Sequence, residues 1–262
     1  METWKESAKR FFDERAELID GLPSWEALCY VSGRDPRFWA NTPAYQDLVD
    51  SIIRMLGATK DHELLELGCA AGFIARGIAP RVGRYVGVDI AMEPLKVARR
   101  LRLANAEFRL GDGMELPFPE GTIDHAFSYD VITNLPSFEA AADLVRQMFK
   151  VVKPGGRVLV GSVPDAAQEE AFVQEVQRVQ ASLSTQATTG PEPVAGPLLR
   201  FRRWLRKRDD APPPAITCYY FEREDFAHLG RSLGATTEFL TLPDSWVYAP
   251  FRFNVVFHKP VA

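Results

Sequence analysis

The chain predicts an α/β fold, a doubly wound parallel sheet with helices on both faces. Short apolar runs alternate with stretches of helical period between residues 60 and 163. The first run, Leu64-Leu65-Glu66-Leu67, passes straight into Gly68-Cys69-Ala70-Ala71-Gly72, a tight turn ahead of a helix start. A second run, Tyr85-Val86-Gly87-Val88-Asp89-Ile90, closes on an acid one strand–helix–strand unit later.

Composition narrows the class. The chain has 262 residues, 46% hydrophobic and 25% charged, as expected for one soluble domain with an insertion. Its net charge of −4 disfavours a nucleic-acid partner. Three scattered cysteines, Cys29, Cys69 and Cys218, suit neither a disulfide framework nor a zinc site, so no metal is expected. The opening residues are charged and no run is long enough to span a bilayer, which points to a cytoplasmic protein.

Taken in order, residues 2–20 place Trp4, Phe11, Phe12, Leu18 and Ile19 among charges at helical spacing, and Pro23 stops the element. Helical patterns follow at 25–31 and 38–56, separated by Gly33-Arg34-Asp35-Pro36. Together, residues 1–58 form an N-terminal helical cap. Its aromatics Phe11, Phe12, Tyr30, Trp39 and Tyr45 are expected to pack on the sheet, with one or two walling a site. Strands are expected at 63–67, 84–89, 106–110, 123–129 and 156–163 in a core spanning 59–181. Pro94 sits in the first turn of one crossover helix, where its missing N–H costs nothing. Residues 138–152 form another, ended by Pro154-Gly155-Gly156. A helix at 165–183 leads into a mobile basic insertion, 182–214. The core resumes over 215–262, with a helix ending near Gly234 and strands at 236–242 and 252–258.

The turn after the first strand seats a polar ligand. Glycine lets backbone approach closely, and the following helix offers free N–H groups. A dinucleotide would need G-x-G-x-x-G, whereas Ala70 and Ala71 stand here between the glycines. Glu66 would also repel a pyrophosphate and suits an amine-bearing ligand.

Glu66-Leu67-Gly68-Cys69-Ala70-Ala71-Gly72 resembles the E/D-x-G-x-G-x-G motif of class I S-adenosylmethionine (SAM)-dependent methyltransferases of small-molecule type, with Ala70 in place of the middle glycine. Val86-Gly87-Val88-Asp89-Ile90, Phe108-Arg109-Leu110-Gly111-Asp112-Gly113, Ile123-Asp124-His125-Ala126-Phe127-Ser128 and Lys153-Pro154-Gly155-Gly156-Arg157-Val158-Leu159-Val160 are similar to the motifs that follow. The resemblance implies a Rossmann-like sheet of seven strands, the last antiparallel, with SAM as cofactor. It implies that Glu66 orients the methionyl amino end and that Gly68, Cys69, Ala70 and Gly72 give backbone room. Asp89 takes the ribose hydroxyls and Ile90 packs beside adenine. Asp112 accepts from the adenine amine, with Gly113 and Met114 alongside, and Ser128 completes the cofactor-binding set. Asp89 and Asp112 also suit local roles, as a helix cap and a turn former.

Methyl transfer is an in-line displacement for which positioning supplies much of the catalysis. The end of the fourth strand faces the transferred methyl in this family and reads Ser128-Tyr129-Asp130-Val131-Ile132-Thr133-Asn134. Many relatives carry histidine about where Thr133 and Asn134 stand. Asp130 is then the candidate proton acceptor for a hydroxyl, with a loop cap as its other reading. Tyr129 reads as a wall and His125 as a packed strand residue, while His228 and His258 could serve only if the lid folds back. In the insertion, Arg200, Arg203, Trp204 and Arg206 belong to a basic amphipathic run. It suits a lid helix, or peripheral contact with a membrane or a lipid phosphate at the inner membrane face. The expected function is O-methylation of a small molecule, a sugar-containing or lipid-linked hydroxyl. An RNA or protein methyltransferase, or a non-catalytic SAM-fold binder, is the alternative.

Overall fold

The computed structural model describes residues 3–34, 39, 42–186, 218–244, 246 and 249–261. The basic run with Arg200, Arg203, Trp204 and Arg206, and most of the expected insertion, lie outside them.

Seven strands form one sheet in the order β3-β2-β1-β4-β5-β7-β6. They are β1 (Glu63–Leu67), β2 (Arg84–Asp89), β3 (Ala106–Leu110), β4 (Ile123–Tyr129), β5 (Val152–Pro164), β6 (Thr236–Thr241) and β7 (Arg252–His258). The pairs among β1 to β5 are parallel, and β7 runs antiparallel to both β5 and β6. The expected strands thus stand where the sequence placed them, except that β5 starts earlier, at Val152, and β6 ends one residue earlier, at Thr241.

The helices are α1 (Trp4–Ala16), α2 (Trp25–Val31), α3 (Thr42–Leu56), α4 (Ala75–Ile78), α5 (Met92–Arg99), α6 (Phe138–Val151), α7 (Glu169–Gln186) and α8 (Arg223–Ser232). Local chemistry starts several of them. Thr3 and Glu6 form a reciprocal capping box on α1, while Ser24 and Ser137 cap α2 and α6 through their side chains. The expected boundary at 181 falls inside α7, which continues to Gln186. No helix among the described residues is long and apolar enough to cross a membrane.

Strand alternation divides the core into two layers. Leu64, Tyr85, Phe127 and Leu159 pack toward α2, α3, α4 and α5. Leu65, Leu67, Val86, Val88, Val158 and Val160 face the other way, toward α6 and α8. Strand order reverses direction between β1 and β4, so the carboxyl ends of these strands open a crevice there.

Candidate active site

A cleft of about 840 Å³, its open mouth included, occupies that crevice. Its floor is the end of β1 with Gly68 and Ala70, the end of β2 with Asp89 and Ile90, and Gly111-Asp112-Gly113-Met114 after β3. Tyr129, Asp130, Val131, Asn134 and Leu135 form one wall, and Trp4, Ala8, Phe12, Ser32 and Arg34 from the cap form the other.

The turn after β1 is fastened to β2. Gly68 and Cys69 donate N–H groups to the Val88 carbonyl at 2.8 and 3.3 Å. Ala70 takes a left-handed conformation, φ +42°, and donates its N–H to Asp89 Oδ2 at 2.8 Å. Asp89 Oδ1 accepts the Ala91 N–H at 2.9 Å, so one carboxylate closes the turn after β1 and holds the chain leading into α5, which has no side-chain cap. Burial pushes the Asp89 carboxyl up to about 6, against these N–H bonds. Gly68 is required twice, by φ +79° and because a Cβ would lie 2.3 Å from Val131 Cγ2.

Asp112 stands at the far end of the floor. Its Oδ1 accepts the Met114 N–H at 2.9 Å, the local turn, and its other oxygen meets the Lys5 ammonium on α1. Burial raises this carboxyl, but the Lys5 contact and the turn bond more than offset that and hold it below its ordinary range.

The opposite end is polar and mostly enclosed. Arg34 donates Nη2 to Asp130 Oδ2 at 2.9 Å, and Arg252 donates Nη1 to Asp130 Oδ1 at 3.1 Å. Arg252 is braced by Ser162 Oγ at 3.0 Å, and Ser162 N–H donates to Asn254 Oδ1 at 2.9 Å. Asp130 and Ser162 both have left-handed backbone, φ +61° and +59°, and Ser162 lies where the β5–β7 register shifts. The Arg34 side chain is only 9% exposed and lies over the Phe73 ring, 4.8 Å from its centre, yet its Nε has no partner. Ser32 Oγ and Glu66 Oε2 are also buried without partners. Burial lifts the Glu66 carboxyl to about 8, although the Arg34 guanidinium draws it down.

Of the expected cofactor residues, Gly68, Ala70, Asp89, Ile90, Asp112, Gly113 and Met114 come together in the cleft, as does Asp130. Glu66, Cys69, Gly72 and Ser128 do not line it. Glu66 lies behind the turn, paired with Gly87 and Phe127 in the sheet. Cys69 is buried against Gly87, where a Cβ would come within 2.8 Å of its sulfur. The missing Cβ of Gly72 makes room for Leu101, Ala98 and Phe108 rather than for a ligand. Ser128 Oγ donates to the Leu67 carbonyl at 3.0 Å, tying β4 to β1. Asp130, expected as a proton acceptor, has both oxygens occupied by guanidinium groups.

His125 is a packed residue at the other end of the sheet. Its Nδ1 accepts the Arg157 N–H at 3.1 Å and its Nε2 lies 3.3 Å from His62 Nδ1. His258 pairs with Arg157 at that same end, so it cannot serve the cleft. In the cap, Tyr30, Trp39 and Tyr45 are core residues, while Phe12 walls the cleft as foreseen. Arg34, Trp4, Ala8 and Ser32 were not foreseen as site residues. The available signal was the i, i+4, i+8 seam of Trp4, Ala8 and Phe12, and an arginine just past the glycine that ends α2.

Residues 65–160 match a family model described as a methyltransferase domain. The matched segment is less than half of the chain, and the sheet built around it has the strand order that the resemblance to SAM-dependent methyltransferases implies. Methyltransferase GfsG of Streptomyces halstedii is 27% identical over 166 residues, covering 58% of this chain and 56% of its own. A ubiquinone biosynthesis O-methyltransferase of Yersinia pestis is 29% identical over 120 residues, 43% of this chain and 47% of its own. The chain thus spans about half the length of these curated relatives. A solved DhpI–SAH complex shares the fold at TM-score 0.58 and 15% identity, covering 98% of this chain and 97% of that one.

Proposed function

We propose that the chain transfers a methyl group from SAM to a hydroxyl of a small molecule. The observation that carries this is the charge order along the cleft: Asp112, then Asp89 with the glycine turn, then the buried Arg34. An adenine amine, a ribose diol and an amino-acid carboxylate need those partners in that order. The unpartnered Arg34 Nε suits the carboxylate, and an ammonium nearby would draw the buried Glu66 carboxyl to its ionised form. Lys5 shares Asp112 until an adenine amine arrives; an exposed pair of this kind is worth about 0–1 kcal/mol, so sharing is cheap.

The bound sulfonium supplies the electrophilic methyl. The chain's residues do the rest. Asp89 and Asp112 fix the nucleoside, and Trp4 and Phe12 cover it from the cap. Tyr129, Val131, Asn134 and Leu135 wall the end where the acceptor must approach, limiting water. Positioning of this kind is worth roughly 7–11 kcal/mol of barrier. Oxygen as the methylated atom is supported by the O-methyltransferase among the relatives. A sugar-containing or lipid-linked acceptor rests on the basic run of residues 198–208 alone.

The test is incubation of the protein and methyl-labelled SAM with a small-molecule extract. Label should appear in an alkali-stable, low-mass product. Label in RNA or protein would redirect the acceptor class, and no transfer despite tight SAM binding would leave a binding protein.

A further inference from the structure

Arg34 is spent only in part. A guanidinium presents Nε and Nη2 on one edge as a fork for a carboxylate. In this protein Arg223 shows the fork filled, with Nε and Nη2 at 3.0 and 2.7 Å from Asp165 Oδ2. Arg34 gives Asp130 only Nη2, and its Nε faces no acceptor although the side chain is enclosed. Asp130 does not depend on Arg34 alone, because Arg252 holds its other oxygen.

Resting on the cofactor reading above, we propose that Arg34 is a shared donor: it exchanges Asp130 for the amino-acid carboxylate of the cofactor, and Asp130 Oδ2 becomes a proton acceptor only when the cofactor is in place. A carboxylate on the Nε–Nη2 fork competes with Asp130 for Nη2, and two carboxylates on one edge repel each other. Arg34 makes the better, two-pronged pair and leaves Asp130 to Arg252. Asp130 Oδ2 then faces the cleft beside Val131 and Asn134 with no donor of its own. In the transfer, the acceptor oxygen forms its bond to the methyl carbon and the carbon–sulfur bond breaks, its electron pair staying on sulfur. The hydroxyl proton passes to Asp130 Oδ2. Arg34 is a positioning residue in this scheme, and it makes the cofactor bind before the acceptor is activated.

Competition and propping give opposite signs. If Asp130 competes for Arg34, removing its charge strengthens binding of a ligand that needs Arg34. If Asp130 only holds Arg34 in place, removal weakens it. Calorimetry with S-adenosylhomocysteine (SAH) and with 5′-methylthioadenosine, which lacks the amino-acid tail, reads the difference. Asp130→Asn should bind SAH severalfold more tightly and methylthioadenosine as the wild type does. Arg34→Gln should weaken SAH roughly tenfold or more, the scale of a lost charged hydrogen bond, and leave methylthioadenosine unchanged. In the Arg34→Gln background, Asp130→Asn should bring no gain. Asparagine tolerates the left-handed backbone at position 130, and Asp130→Gly, which that backbone also favours, repeats the test if the amide variant misfolds. Weaker or unchanged SAH binding in the Asp130 variants overturns the exchange. Failure of the wild type to bind either nucleoside overturns the cofactor reading instead.

Discussion

At the β2–β3 end of the cleft, the polar groups come from consecutive strand ends. Asp89 closes β2, Asp112 follows β3, and each also serves the backbone beside it. At the β4–β5 end, Arg34 follows α2, Asp130 follows β4, and Ser162 and Arg252 lie in β5 and β7, residues 34 to 252. The first end is held by backbone N–H bonds to carboxylates, within two residues at Ala91 and Met114 and across one strand–helix–strand unit at Ala70. The second is held by long side chains meeting across the fold, with left-handed backbone at Asp130 and Ser162. A site built from local turns keeps its geometry wherever the strands align. A site built from distant side chains can be retuned one residue at a time, as differing acceptors require.

The most damaging way to probe the local end is Asp89→Ala. It removes a ligand acceptor and frees the Ala70 and Ala91 N–H groups together. SAH affinity should fall about a hundredfold, the cost of two charge-assisted bonds. A change of less than threefold in calorimetry would place the nucleoside elsewhere.

Acidity should act on the same carboxylate. The diol donates to the ionised form, so with the Asp89 carboxyl raised to about 6, SAH binding should weaken roughly tenfold per pH unit below that value, on top of the loss that the Glu66 carboxyl, raised to about 8, brings below pH 8. A flat profile between pH 5 and 7 would show that Asp89 does not contact the ligand.

At the far end of the sheet acid should lower stability, as it lowers SAH binding in the cleft. Burial and the neighbouring His62 hold His125 down, at about 4, so between 6.5 and 4 the folded chain binds fewer protons than the unfolded one. Its contribution is present above 6.5 and lost as the pH falls toward 4. Asp89, raised to about 6, contributes oppositely: its share is present below 3.8 and lost as the pH rises through 6. Urea unfolding of wild type and His125→Gln isolates the histidine, and the wild type's advantage should shrink on acidification. A gap independent of pH would refute the assignment.

The smallest effect is expected at Ala70. A Cβ in left-handed backbone costs about 1–2 kcal/mol, partly offset by glycine's greater unfolded freedom. Ala70→Gly should therefore raise stability by about 1 kcal/mol or less, without altering SAH affinity. Lower stability would mean that the alanine methyl packs usefully.

Much of the fold was legible because its signals are local. The runs at Leu64, Tyr85 and Ile123 are buried on both faces and carry little else, so strand and position follow from apolar density. The glycine turn was legible as a turn, but not residue by residue. Gly72 and Cys69 occupy motif positions, yet their neighbours are Leu101 and Gly87, which only packing brings near. Ser128 reads as a site serine until its hydroxyl is seen bonded to Leu67. Asp130 was legible as a carboxylate near the reacting end, but not as one flanked by two arginines.

By itself, the chain's order of apolar runs, turns and strand-end acids determined the parallel sheet, its crevice, and a floor offering Asp89 and Asp112. Those depend on periodicity and on hydrogen bonds within a turn or between adjacent strands. Tertiary structure alone decided which motif residues reach the cleft, that α1 covers it, and that Arg34 meets Asp130 across 96 residues of chain. The reason is that the strength of a charge pair depends on distance and enclosure, and neither exists until the layers have packed.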